Sequence, residues 1–204
     1  MLTPRHEAVR LAPALGAEVR GVDMLALSDT DRAFLRKAWA EHMVIIVRGF
    51  PALTSQQHSD FCNTFCEIGA RQRPVDARHE PEGAPADVMY VSNKRENGRI
   101  IGSIPDGEME WHIDQSYIEK PAKGTCLHAL EVPREGGDTM FGNLCMAAET
   151  LPADLRRAVT GRKVLNAYGH GGYGIQSRAQ NDPAAATRKF AHPVLPRHPD
   201  TKRE

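Results

Sequence analysis

The chain never stays apolar for long, and that limits what it can build. Its longest strongly apolar run is Met-Val-Ile-Ile-Val at residues 43–47, closed off by Gly49 and Pro51. Such a run has the length of a single β-strand and is far short of the ~20 residues a membrane-spanning helix needs. Seventeen glycines and fourteen prolines among 204 residues punctuate the rest into short pieces. Short β-branched pieces separated by turn residues, with few helical patterns between them, point to a mainly β domain flanked by helices, an α+β sandwich. With 41% apolar and 25% charged residues the chain has the balance of one globular domain, taken as residues 1–204. Twenty-six basic residues offset twenty-six acidic ones, so no net field draws the protein to nucleic acid or an anionic membrane. A small-molecule partner is the expectation.

Two helices announce themselves through their starts. Ser28 precedes Phe34, Leu35, Ala38 and Trp39 at helical spacing, with Asp31 at the capping-box position; Thr54 and Gln57 repeat the device before Phe61, Cys62 and Phe65. Gly69 is the expected stop of the second helix. A third helix is expected over residues 152–160, opened by Pro152. Strands are expected around Ala17, Val19 and Val22, over 43–47 as a central strand, over 88–92 and 99–104 joined through Asn97-Gly98, over 109–116, 124–132 and 139–141, and around Val164. Residues 71–86 read as a loop, and 169–186 give no clear pattern. Cys62, Cys66, Cys126 and Cys145 lack a CxxC spacing, and Cys62 and Cys66 read as small buried thiols on a helix. Residues 1–10 lack the apolar stretch of a signal peptide, so a cytoplasmic location is expected.

Three His-x-Asp pairs occur, and secondary structure separates them. In a strand, residues i and i+2 share a face ~6–7 Å apart and can converge on one ion; in a helix they diverge by about 200°. His58-Ser59-Asp60 falls in a helical pattern, and His198-Pro199-Asp200 in a proline-broken turn. His112-Ile113-Asp114 follows Trp111 in a strand-like stretch, which makes it the candidate metal pair, against the alternative of a plain polar strand face. An imidazole and a carboxylate are two of the three ligands that hold non-haem iron(II) with open positions.

The surroundings of that pair carry a resemblance. Glu110-Trp111-His112-Ile113-Asp114-Gln115-Ser116-Tyr117, then Pro121, then Ala129-Leu130-Glu131-Val132-Pro133, then Gly136-Gly137-Asp138-Thr139 resembles the TauD/TfdA (taurine dioxygenase-like) family in content and order. The stretches LGAEVRGVDM, HMVIIVRGF, LTSQQHSDFCNTFCEIG, LPADLRRAV and HPVLPRHPDT are similar to its pattern as well. The resemblance implies a double-stranded β-helix (jelly-roll). It also implies iron(II) bound by His112 and Asp114, and Thr139 hydrogen-bonding a carboxylate of the cosubstrate 2-oxoglutarate. With O2, such an enzyme hydroxylates a small organic acid, sulfonate- or aryloxyacid-like, while 2-oxoglutarate becomes succinate and CO2.

By the same resemblance, Trp111 packs beside the site and Tyr117 lines the substrate space or a half-buried strand, while His192 and His198 are structural or surface positions. His128 lies on a strand without a ligand role, and His170 in a glycine-rich loop. No histidine matches the family's distal iron ligand, which lies, with the arginine for the far carboxylate of 2-oxoglutarate, beyond the equivalent of Glu204. The expectation is therefore a domain incomplete at its C-terminus, binding iron weakly and turning over little. The rival expectation is a non-catalytic remnant that binds a partner or forms homo-oligomers through open strand edges. A zinc hydrolase built on His112, Asp114 and His128 or His170 ranks last, since no HExxH-type pattern supplies its base.

Overall fold

The computed structural model describes residues 6–69, 84–102, 111–168 and 188–204. The chain divides into two compact units, each drawn from separated stretches: Met1–Cys66, Leu127–Thr160 and Leu195–Glu204 form one, and Glu67–Cys126 with Gly161–Val194 the other.

The first unit is built on a strand–helix–strand core. Strand β1 (Glu7–Arg10) pairs antiparallel with β2 (Ala17–Arg20), which pairs parallel with β3 (Ile45–Val47) in the order β1-β2-β3. The parallel pairing requires a crossover, and helix α1 (Asp29–His42) provides it. Both halves of the expected capping box form at its start. The Ser28 hydroxyl accepts from Asp31 N–H at 3.2 Å while the Asp31 carboxylate accepts from Ser28 N–H at 2.8 Å. The helix buries Leu35 and Ala38 alongside Ala17 and Val19 of β2. These side chains, with Leu53, Phe61 and Ala148, are the buried apolar groups among the described residues, and all belong to this unit. Strand β3 lies at the end of the three-stranded sheet and β2 occupies the middle; Ala17 and Val19, buried to 0% and 2% exposure, mark the strand that the core encloses.

Helix α2 (Ser55–Cys62) starts on the Thr54–Gln57 capping box as expected. It stops earlier than Gly69, at Asn63, and the chain turns so that Phe65 meets Phe61 and Trp39 edge-on, each at 5.4 Å between ring centroids. Arg32 and Arg36 of α1 close the turn from the other side, donating to the Thr64 hydroxyl at 2.7 Å and its carbonyl at 2.9 Å. Cys62 is half-buried and Cys66 exposed, so only the first approaches the buried-thiol expectation. Helix α3 (Leu144–Glu149), capped by the Asn143 side chain, is an addition to the expected elements, and α4 (Ala153–Val159) follows Pro152 as expected. The tail returns to these helices through Arg203–Glu149 at 2.8 Å and Arg156–Glu204.

The second unit contains two hairpins. Strands β4 (Arg95–Glu96) and β5 (Arg99–Ile100) meet across Asn97 (φ 49°) and Gly98 (φ 76°), the positive-φ pair that the sequence predicts. The first arm is shorter and later than the expected 88–92, where only Val91 makes a bridge. Strands β6 (Lys163–Tyr168) and β7 (Arg188–Pro193) pair antiparallel over six residues, from Lys163 opposite Pro193 to Tyr168 opposite Arg188. The expectation around Val164 is thus met, and β7 is new. The loop expected at 71–86, apart from residues 84–86, and the stretch 169–186 with His170 lie outside the described residues.

Three strand expectations fail. Residues 111–116, 124–132 and 139–141 form neither helix nor strand. A strand is completed by the neighbour it pairs with, and a β-branched run without a ladder partner stays irregular whatever its propensity.

Candidate functional site

Trp111 to Tyr117 is shaped by turns. Ser116 N–H donates to the Ile113 carbonyl at 3.3 Å and Ile118 N–H to that of Gln115 at 3.1 Å, while Gln115 takes φ 57°. A left-handed residue cannot sit in a strand, so the alternation expected over 109–116 is broken from within at its described part. The turn folds the His112 and Asp114 side chains together, leaving Nε2 3.3 Å from Oδ1. Two donors each ~2.1 Å from one divalent ion, at a right angle, lie ~3 Å apart. The observed separation fits that better than a strand's i,i+2 spacing does. Both side chains are 48% exposed, so the pair is open to solvent and to a ligand. Among the described residues, no third histidine, cysteine or carboxylate joins these two closely enough to make a three-ligand set.

Two contacts that the sequence does not advertise hold this turn. The Thr125 hydroxyl donates to Asp114 Oδ2. From β7, His192 Nε2 lies 2.9 Å from the Ile118 carbonyl and donates to it. This gives His192 the structural part expected of it, with a defined target. Tyr117 packs on Tyr168 of β6 with ring centroids 4.6 Å apart, a tilted stack rather than the strand position considered for it. Trp111 is 70% and Ile113 53% exposed, so neither packs in a core as expected; with no strand here there is no opposite face to bury them. His198 is exposed, its Nδ1 accepting from Asp200 and Thr201 N–H at 3.2 Å.

Thr139 belongs to the first unit, exposed on an irregular segment after the Gly136-Gly137 turn, where both glycines take positive φ (73° and 71°). In the same unit His58, on α2 as expected, faces His128 at 5.6 Å between ring centroids, and His128 also meets Phe50 at 5.9 Å. Burial lowers the His128 pKa and the neighbouring His58 adds to the shift, favouring a neutral ring. His128 is not on a strand, contrary to expectation.

A family model described as "Taurine catabolism dioxygenase TauD, TfdA family" matches residues 7–204. The chain is 26% identical to the (S)-phenoxypropionate/alpha-ketoglutarate-dioxygenase of Sphingobium herbicidovorans, over all of this chain and 70% of that protein. It is 30% identical to the alpha-ketoglutarate-dependent sulfate ester dioxygenase of Pseudomonas putida, over 72% of this chain and 44% of that one. A crystal structure of a taurine dioxygenase from Burkholderia xenovorans superposes with a TM-score of 0.68 at 23% identity, covering 98% of this chain and 62% of that chain. The chain thus spans 70%, 44% and 62% of the length of these three proteins.

Proposed function

The chain belongs to the TauD, TfdA family of taurine catabolism dioxygenases, and on that footing we propose that it is the iron- and 2-oxoglutarate-binding portion of a dioxygenase acting on a small organic acid. The observation that carries the reading is the convergence of His112 Nε2 and Asp114 Oδ1 to 3.3 Å on a solvent-open turn. An imidazole and a carboxylate at that separation suit non-haem iron(II) by donor chemistry and by distance. Iron bound there supplies, with 2-oxoglutarate and O2, the oxidising power for hydroxylating a C–H bond as the cosubstrate becomes succinate and CO2. The protein's own part is placement. His112 offers a ring nitrogen and Asp114 a carboxylate oxygen. Thr139, exposed after its glycine turn, is carried on the family pattern alone as the hydroxyl for a carboxylate oxygen of 2-oxoglutarate. The relatives named for phenoxypropionate and for sulfate esters support an aryloxyacid- or sulfonate-like substrate for the whole enzyme. A double-stranded β-helix is part of the same proposal, supported by the superposition on the taurine dioxygenase with a TM-score of 0.68.

Two protein ligands hold an ion more loosely than three, so the 204 residues by themselves should bind iron(II) weakly and form little succinate. Anaerobic iron(II) titration, with succinate measured after admission of O2 and a phenoxyacid, tests both statements. His112→Ala should abolish the residual binding; unchanged binding would remove the pair from the metal site. Succinate at an ordinary enzymatic rate from the unaltered chain would show that the ligand set is already complete.

A second reading, a non-catalytic module that associates with itself or a partner, has one observation in its favour. In the first unit Leu127, Leu130, Val132, Met140 and Leu144 are each more than 60% exposed within an eighteen-residue stretch. Apolar side chains exposed in such number mark interaction surfaces in soluble proteins.

A further inference from the structure

We propose that Thr125 is a positioning residue that fixes how Asp114 presents its carboxylate to the metal. This inference rests on the reading of His112 and Asp114 as the iron pair. Asp114 has two oxygens, and the structure assigns them different partners. Oδ1 faces His112 Nε2 at 3.3 Å, while Oδ2 accepts the Thr125 hydroxyl. Among the described residues, no helix or strand holds Asp114 in place. Asp114 lies in a turn, Thr125 in an irregular segment eleven residues further on, and the Asp114 side chain is 48% exposed. Without the hydroxyl, the terminal torsion of an exposed aspartate is broad and both oxygens can turn toward the ion.

The distinction has a chemical consequence. A six-coordinate iron that takes 2-oxoglutarate through two atoms and O2 through one has three positions left for protein. Beside His112, a carboxylate binding through both oxygens would take all of them and leave none for a further protein ligand. By engaging Oδ2 in a hydrogen bond, Thr125 leaves Oδ1 as the single donor and keeps a site open. The hydroxyl proton stays on Thr125 throughout; the contact orients the carboxylate and draws some charge from it. A partner of this kind typically changes metal affinity by 10–100-fold when removed.

The test is cobalt(II) titration of the 204-residue chain, read from visible absorption, with thermal unfolding as the control for folding. Thr125 is exposed, so its substitution should leave the fold intact. Thr125→Val and Thr125→Ala should raise the cobalt Kd at least tenfold, because the carboxylate is no longer held oriented, and should change the absorption bands as its binding mode changes. Thr125→Ser should restore both within threefold. A residue with a merely structural role would move the unfolding temperature and leave the spectrum of the bound metal alone. Wild-type affinity and spectrum in both the Val and Ala variants overturn the proposal, as does failure of Ser to restore them. If His112→Ala and Asp114→Ala abolish cobalt binding while the Thr125 variants change nothing, only the positioning role falls. If those two variants bind as wild type, the iron-pair reading falls with it.

Discussion

Asp31 shows how much one side chain can be asked to do. Its carboxylate accepts the hydroxyl and N–H of Ser28, and His6 Nε2 lies 2.6 Å from its other oxygen, with the His6 ring stacked on Phe34 at 4.8 Å. The Ser28 hydroxyl is the main cause of a pKa below the ordinary carboxylate value; burial opposes the shift, and the Ser28 N–H and His6 add to it. A carboxylate whose pKa is depressed by folding stabilises the folded state above its unfolded pKa. That contribution is lost as pH falls through the folded value. Asp31→Ala should therefore cost about 1–2 kcal/mol near pH 7 in urea unfolding, and the gap from the unaltered protein should close as the pH is taken below ~4. A gap that persists undiminished in acid would mean that packing, not charge, is what Asp31 contributes. The capping role was readable from Ser28 and Asp31 alone, because a capping box is a contact between neighbours in sequence. The His6 contact was not, since it joins residues 25 apart. Thr125 escaped notice for the same reason, and nothing about a lone threonine after a glycine points toward Asp114.

At the scale of elements, the chain is legible where structure is local and opaque where it is not. Both capping boxes and the Asn97-Gly98 hairpin turn appear at their expected positions. Residues 124–132 and 139–141 carry β-branched side chains yet pair with nothing among the described residues, because propensity proposes a strand and only a partner completes it. His112 and Asp114 lie side by side, but not through strand alternation: a turn through Gln115 brings the two groups together. Glycine supplies the sharpest element-scale prediction. Gly98 and Gly102 both hold positive φ (76° and 91°), but a Cβ at Gly98 would meet open space, whereas one at Gly102 would lie 2.8 Å from the Tyr90 carbonyl oxygen. Gly98→Ala should cost about 1 kcal/mol, the backbone strain alone. Gly102→Ala should cost about 1–3 kcal/mol more, since the atom in its way is main chain. Equal unfolding midpoints for the two variants would show that segment 90–102 yields freely.

For the molecule as a whole, the unbalanced feature is apolar surface. The exposed run from Leu127 to Leu144 sits in the unit that also holds every buried apolar side chain among the described residues. Soluble proteins rarely leave patches beyond a few hundred Å² uncovered, so the isolated chain should associate as its concentration rises. Sedimentation velocity across a hundredfold range should show the weight-average coefficient climbing, and Leu130→Ser with Met140→Ser should flatten the rise. A concentration-independent monomer would mean that these side chains are tolerated singly.

The interleaving of the two units governs how the protein can be made and cut. The backbone passes from one to the other four times, at residues 66/67, 126/127, 160/161 and 194/195. A ribosome releasing the chain from its N-terminus therefore cannot complete the first unit until residues 195–204 have emerged. Nor does any single cut in the chain free either unit intact.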